Sequence, residues 1–209
     1  MNYAQFKQKI RPFPVFSTSM LGTLTRDVST LKVQLSQWKK KGFIKSLRQG
    51  LYVLNPEDRR MEPSSFYLAN QMFIPSYVSL ESALSYHGLI PEFVGVITSV
   101  TPRKTCRFEN DFGRFEYRHV TPSAYGGFQS VVESEVMTAL VAYPEKAVTD
   151  FIYLNLSGFD ERDRSVFTES YRFQNSEDLS AARLRRYAQR YPSKKLAAVI
   201  DLFIKEMLS

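Results

Sequence analysis

The clearest pattern in the sequence is an apolar stripe within its first sixty residues. Four apolar positions, spaced three, four and three apart, lie on one face of a predicted helix: Val28, Leu31, Leu35 and Trp38. Asp27 or Ser29 could cap the start of this helix. Gly42 follows a lysine triplet at 39–41, and cations in a last turn suit the negative end of the helix dipole. We therefore predict a helix that begins near Val28 and ends before Gly42.

The apolar period changes from helical to alternating after Gly42. Residues 43–48 and 51–54 predict two short strands, and Gln49 and Gly50 between them predict a hairpin turn in which glycine supplies a positive φ. The densest positive charge of the chain therefore lies where the helix ends and the hairpin begins.

Two further short helices are predicted upstream. They span Tyr3–Ile10 and residues 16–24, and Ser17 is the expected N-cap of the second. Three helices followed by a hairpin is the order of a winged helix-turn-helix, in which the third helix enters the major groove and the hairpin reaches the flanking backbone.

The rest of the chain predicts a separate α+β domain. Residues 55–63 carry two prolines around a charged, non-periodic segment that indicates a linker, so we place an N-terminal domain at 1–57 and a C-terminal domain at 58–209. The predicted elements are a helix at 79–88 capped by Ser79, a strand at 94–100, a hairpin at 107–119, a helix at 145–154 that follows Pro144, and closing helices at 179–191 and 194–208. This mixture predicts a small, mostly antiparallel sheet with closing helices.

Charge is distributed unevenly along the 209 residues. Residues 1–60 hold 12 Lys and Arg against 3 Asp and Glu, a net charge of +9, whereas 61–209 hold 16 against 18, a net charge of −2. A localised positive charge usually binds a polyanion, most often nucleic acid, although it could also bind a membrane surface.

Other features of the composition narrow the function. No apolar stretch reaches the length of a membrane span and the first residues lack the core of a signal peptide, so we expect no membrane partner and a cytoplasmic location. One cysteine excludes a disulfide within the chain, and with only two histidines beside it a multi-thiolate zinc site is excluded as well.

The candidate DNA-binding residues follow from the helical wheel and the hairpin. Those expected to touch base edges are Arg26, Ser29, Thr30 and Val33. Those expected to touch phosphates are Lys39, Lys40, Lys41, Lys45 and Arg48. Ser17, Thr18, Gln37 and Gln49 complete the predicted interface. We favour double-stranded DNA over RNA because no aromatic stacking pattern is present. Two alternatives to DNA binding remain open. The lysine triplet could be only a solvated helix terminus whose charge matches the helix dipole, and the three helices with their hairpin could form a protein-binding module.

Evidence for catalysis in the sequence is weak. His87 beside a glycine indicates a packed or capping residue more than a general base. Asp111 and Glu116 suggest a magnesium-dependent nuclease only faintly, because such sites usually have a lysine where Arg118 stands. A basic cluster at 183–195 is favoured as a solvated helix face, with contact to DNA or an acidic partner as the alternative. We expect a protein that is not an enzyme and needs no cofactor.

Four segments in succession resemble the AbiEi antitoxin family, transcriptional regulators of abortive-infection systems. They are GFIKSLRQGLYVLNP, PSYVSLESALSYHGLIPE, ITSVTPRK and AYPEKAVTDFIYL. The resemblance implies a winged helix that represses its own operon by binding inverted repeats in the promoter. It also implies a C-terminal domain that counters a neighbouring nucleotidyltransferase toxin in a type IV phage-defence system, where no stable complex is required. A free-standing regulator without a toxin remains the alternative.

Overall fold

The chain folds into a mixture of helices and two β-sheets. The computed structural model describes residues 1–92, 94–160 and 162–208. Its helices are α1 (Tyr3–Ile10), α2 (Leu21–Leu24), α3 (Val28–Lys40), α4 (Ser65–Met72), α5 (Leu80–Tyr86), α6 (Pro144–Leu154), α7 (Ala181–Ala188) and α8 (Lys194–Met207). Its strands are β1 (Phe16–Ser17), β2 (Ile44–Arg48), β3 (Leu51–Leu54), β4 (Tyr77–Val78), β5 (Val96–Thr101), β6 (Cys106–Asn110), β7 (Gly113–His119), β8 (Phe128–Ser134) and β9 (Met137–Ala142). The predicted α+β class is confirmed.

The N-terminal part packs α1, α2 and α3 against a three-stranded antiparallel sheet in the order β1-β3-β2. Helix α3 starts and ends as its sequence predicts, with Asp27 as N-cap and Gly42 in the left-handed region just beyond. The hairpin is also confirmed, and Gly50 in its turn has a φ of 78°. Local sequence signals were sufficient here because each element has its own cap or glycine.

The prediction of one helix over residues 16–24 is wrong. Phe16 and Ser17 form strand β1 and pair with Tyr52 and Leu51, and a 3-10 turn at Thr18–Met20 then leads into the single turn of α2. Ser17 precedes the 3-10 turn, but its side chain makes no capping hydrogen bond and instead approaches the hydroxyl of Ser19. Pairing with β3 overrides the helical pattern because it satisfies backbone groups that a short helix would leave unpaired.

The C-terminal sheet is larger than predicted and is mixed: three of its strand pairings are antiparallel and two are parallel. Its six strands run in the order β6-β7-β5-β4-β9-β8, in which β5 lies parallel to β7 and β4 lies parallel to β9. The predicted hairpin of β6 and β7 is present, but β7 inserts between β6 and β5 and therefore runs parallel to β5. Parallel pairs join strands that are far apart in sequence, so the alternation of apolar and polar residues along one strand could not reveal them.

The helices of the C-terminal part close over this sheet. Helix α6 packs on α5, α7 and α8, and α4 lies against β4, β5 and β9. The helices predicted at 79–88, 179–191 and 194–208 are confirmed in shortened form, and the helix predicted at 145–154 is confirmed with its start one residue earlier, at Pro144. Helix α4 and the β8–β9 hairpin were not predicted. Ser79 precedes α5 but does not cap it, because its hydroxyl donates to Asp150.

The two parts meet where the N-terminal hairpin lies beside β6. Leu47, Leu51 and Val53 of that hairpin are buried in the larger core, together with residues of the C-terminal sheet. Asn110 donates through Nδ2 to the carbonyl of Leu47 at 3.0 Å. The predicted linker at 55–63 is held at Asp58, which accepts hydrogen bonds from Tyr3 and Lys7 at 2.6 and 2.7 Å. The junction is therefore packed rather than bridged by a free linker.

Candidate nucleic-acid interface

Helix α3 has one buried face and one exposed face. Leu31, Leu35 and Trp38 are only 1%, 3% and 7% exposed and pack in the N-terminal core, as the stripe predicts. The opposite face carries Val33, whose exposed fraction of 60% is among the highest of the large apolar side chains in the described part of the chain. An apolar side chain displayed on a polar face is available to pack on a thymine methyl group.

The start of α3 is fixed by Asp27. Its Oδ1 accepts hydrogen bonds from the Thr30 amide at 3.0 Å and from the Ser29 hydroxyl at 2.8 Å. Hydrogen bonds from Thr30, and then from Ser29, lower the pKa of Asp27 from 3.8 to about 2. The cap therefore stays ionised at neutral pH and holds the first turn, with its exposed Ser29 and Thr30, in one geometry.

The predicted residues of α3 and of its two ends are all exposed. They are Arg26, Ser29, Thr30, Val33, Gln37, Lys39, Lys40 and Lys41. Within the described residues, the ion pairs of the N-terminal part involve Lys7, Lys45 and Arg59, and none involves Arg26 or the lysine triplet. These four cations therefore keep their charge available to an external anion.

The predicted hairpin residues lie in a different environment. Lys45 is paired with Asp111 at 2.6 Å, although its side chain remains 38% exposed. Arg48 is half-buried and donates through Nη1 to the carbonyl of Gln49 at 2.9 Å, while its Nε has no partner in the protein. Lys45 is thus less free than the lysine triplet because Asp111 of the β6–β7 turn pairs with it, and Arg48 is less free because it is half-buried.

Ser17 and Thr18 lie next to the hairpin turn. The Thr18 amide donates to the carbonyl of Gly50 at 2.9 Å, and a side chain added at Gly50 would meet the Thr18 hydroxyl. Gln49 is exposed at the same turn. The structure therefore brings Gln49 close to Ser17 and Thr18, which lie much earlier in the sequence.

The residues considered for catalysis each contact another residue of the chain. His87 is half-buried, and its Nε2 lies 2.8 Å from the carbonyl oxygen of Ala142. Glu116 lies 3.5 Å from Arg107 across the β6–β7 hairpin, and Asp111 pairs with Lys45 at its turn. In the ranges that the structure describes, no three His, Cys, Asp or Glu side chains are grouped to hold a metal ion.

The second basic cluster is partly neutralised. Arg185 pairs with Asp201 at 2.8 Å, and Arg183 lies 3.8 Å from the buried carboxylate of Glu145. Arg186 lies over the ring of Tyr187. These contacts favour the interpretation of 183–195 as a helix face whose charges are partly satisfied within the chain.

Sequence reasoning missed the residues that position the hairpin. The sequence places Asn110 and Asp111 in a predicted hairpin and offers Asp111 also as a faint magnesium ligand, yet the two residues bond to Leu47 and Lys45 of the N-terminal hairpin. Asp58 was assigned to a linker, yet it fixes α1. No local pattern marks such partners, because they are 51 to 66 residues apart in sequence.

No family model and no curated protein matches the sequence of this chain. In the described part of the chain, none of the helices is long and apolar enough to cross a membrane.

Proposed function

We propose that this chain is a transcriptional repressor that binds duplex DNA through a winged helix-turn-helix within residues 1–57. The observation that carries the proposal is the exposed face of α3, which presents a capped first turn, an exposed valine and four cations without an ion pair among the described residues. The sheet order β1-β3-β2 beside three helices supports it, because a winged helix places its hairpin next to the recognition helix.

The proposed contacts divide by their position on α3. Arg26, Ser29, Thr30 and Val33 surround its first two turns and would read base edges in the major groove. The lysine triplet at its end would contact phosphates, which fix the register of the protein without reading sequence. Ser17, Thr18 and Gln49 at the hairpin turn would contact the neighbouring backbone.

The biological role proposed for the repressor rests on the resemblance to AbiEi antitoxins. It would bind inverted repeats in the promoter of its own operon, and residues 58–209 would counter a neighbouring nucleotidyltransferase toxin in phage defence. A nucleotidyltransferase reading frame beside the gene would support this role, whereas its absence would favour a free-standing regulator.

Binding of the full chain to the DNA upstream of its own gene tests the proposal, with a scrambled duplex for comparison, across a salt series. Replacing Thr30 or Val33 with Ala should weaken specific binding by about 1–3 kcal/mol and leave the scrambled duplex unaffected. Equal losses on both duplexes would remove these residues from the base-reading surface.

The phosphate contacts are tested by the salt dependence. Lys40→Ala/Lys41→Ala should weaken binding to both duplexes and reduce the salt slope by up to about 2. Arg162→Ala/Arg164→Ala removes the same charge from the C-terminal part and should leave the slope unchanged. Equal slopes in both double variants would show that the lysines do not touch DNA.

A further inference from the structure

A cavity of about 540 Å³ opens on the C-terminal part, away from the proposed DNA interface. Strands β5 and β7 line it through Val96, Thr98 and Glu116, and Phe151 of α6 and Tyr171 form an aromatic wall with ring centroids 5.0 Å apart. Most of the lining is apolar, with a few polar groups, and the volume lies in the range of small-molecule sites.

Three carboxylates face this cavity. Glu81, Glu92 and Glu116 line it, and the described lining contains no Lys or Arg. Glu92 pairs with Arg172 at 3.1 Å and Glu116 lies 3.5 Å from Arg107, so both already have a counter-ion outside the lining. Glu81 has no ion pair among the described residues, although the chain as a whole carries a net charge of +7. The cavity is therefore locally negative.

The segment that contributes Ile90 and Glu92 to the lining is held in place by hydrogen bonds. The Ser85 hydroxyl donates to the carbonyl of Glu92 at 3.1 Å, and the Gln174 amide donates to the carbonyl of Leu89 at 3.0 Å. A segment fixed in this way indicates a preformed site, so that little conformational entropy is lost when a ligand binds.

Two residues with a strained backbone, Leu80 and Arg172, adjoin residues that line the cavity. In the described ranges, the non-glycine residues with positive φ are Leu80, Arg172 and Asn175. Leu80 precedes Glu81, Arg172 follows Tyr171 and pairs with Glu92, and Asn175 donates to the carbonyl of Gly88. Such strain persists where the surrounding structure holds it and often accompanies a binding site.

We propose that this cavity binds a small organic cation, an amine or amidine on an apolar body, with Glu81 as its counter-ion. The carboxylates disfavour anionic ligands such as nucleotides. The apolar walls disfavour an inorganic cation, which requires several oxygen ligands. Phe151 and Tyr171 suit an apolar body and add a cation–π attraction if the charge approaches a ring face. The proposal stands independently of DNA binding.

Calorimetric titration of the full chain without DNA tests the proposal. The probes are tryptamine, phenethylamine and agmatine, and tryptophol serves as the uncharged counterpart of tryptamine. At least one amine should bind at millimolar concentration or below. If it is tryptamine, tryptophol should bind at least about tenfold more weakly, because it lacks the charge that Glu81 neutralises.

Two variants locate the site. Glu81→Gln should weaken amine binding by about tenfold or more, whereas Glu177→Gln, at an exposed glutamate elsewhere, should leave it unchanged. Gly95→Phe should fill part of the cavity and abolish binding, because Gly95 lines it and a Cβ added there meets no other atom within 4 Å, so the fold should tolerate the change. Failure of all three amines to bind, or equal binding by Glu81→Gln and the parent, would overturn the proposal.

Discussion

At the scale of single residues, α6 contains an ion pair whose two side chains are both out of contact with solvent. Lys146 and Asp150 are both fully buried, and Lys146 donates to Asp150 and to the Tyr191 hydroxyl. Asp150 also accepts from Tyr77 at 2.9 Å and from Ser79 at 2.8 Å. Burial lowers the pKa of Lys146, and the neighbouring carboxylate opposes that effect. The network ties α6 to β4, to the residue before α5 and to the connection between α7 and α8.

Removing one partner of this pair should leave the other charge buried and unpaired. We expect Lys146→Met and Asp150→Asn each to lower the free energy of unfolding by about 3–5 kcal/mol. The double variant should lose much less than the two losses added together, because no unpaired charge remains. Urea unfolding of the four proteins measures the coupling. Additive losses would show that the two side chains do not depend on each other.

The sequence could not reveal this network. A lysine and an aspartate four residues apart in a helix usually form a solvent-exposed pair. Helix α6 was predicted, but α5, α7 and α8 all pack on it, and every residue from 145 to 152 is buried. Burial of a charged pair is decided by which helices pack on it, and local periodicity carries no information about that.

At the scale of elements, prediction succeeded where the determining interactions are local. Helix α3 and the hairpin after it were predicted because a capping aspartate and two glycines mark their ends. Strand β1 and the parallel pairing of β4 with β9 were not, because their partners lie 34 or more residues away. The same division applies to the candidate interface, whose α3 residues lie exposed as the helical pattern predicts and whose contact with the β6–β7 turn was not predicted.

The Asp27 cap of α3 should make the folding stability of the chain depend on pH. The pKa of Asp27 is about 2 in the folded chain and 3.8 when unperturbed, so between these values the unfolded state binds more protons. The stabilisation is present above the unperturbed pKa and is lost as the pH falls towards the folded value. The amide introduced by Asp27→Asn would still cap the helix but would not titrate. We therefore expect the parent, relative to Asp27→Asn, to lose stability in thermal unfolding from about pH 4 to about pH 2. Parallel curves would exclude a titrating cap.

At the scale of the whole molecule, the question is whether the N-terminal part is an independent unit. Trp38 is the single tryptophan and lies in the smaller core, whereas most helices and strands belong to the larger part. Tryptophan fluorescence therefore reports the N-terminal part, and far-ultraviolet circular dichroism reports mainly the rest. The buried hairpin residues Leu47, Leu51 and Val53 join the larger core, which predicts that both probes give the same urea midpoint.

The junction can be weakened without altering composition or net charge. Asn110→Asp combined with Asp111→Asn removes the donor to the Leu47 carbonyl and the counter-ion of Lys45, but keeps the acceptor that holds the Phe112 amide at 2.8 Å. In this variant the fluorescence midpoint should fall below the dichroism midpoint, because the N-terminal part loses support that the larger core does not need. Glu109→Ala/Arg114→Ala changes an exposed pair on the same hairpin and should keep the midpoints together. Separate midpoints already in the parent chain would instead mean that the N-terminal part unfolds on its own, as an independent domain does.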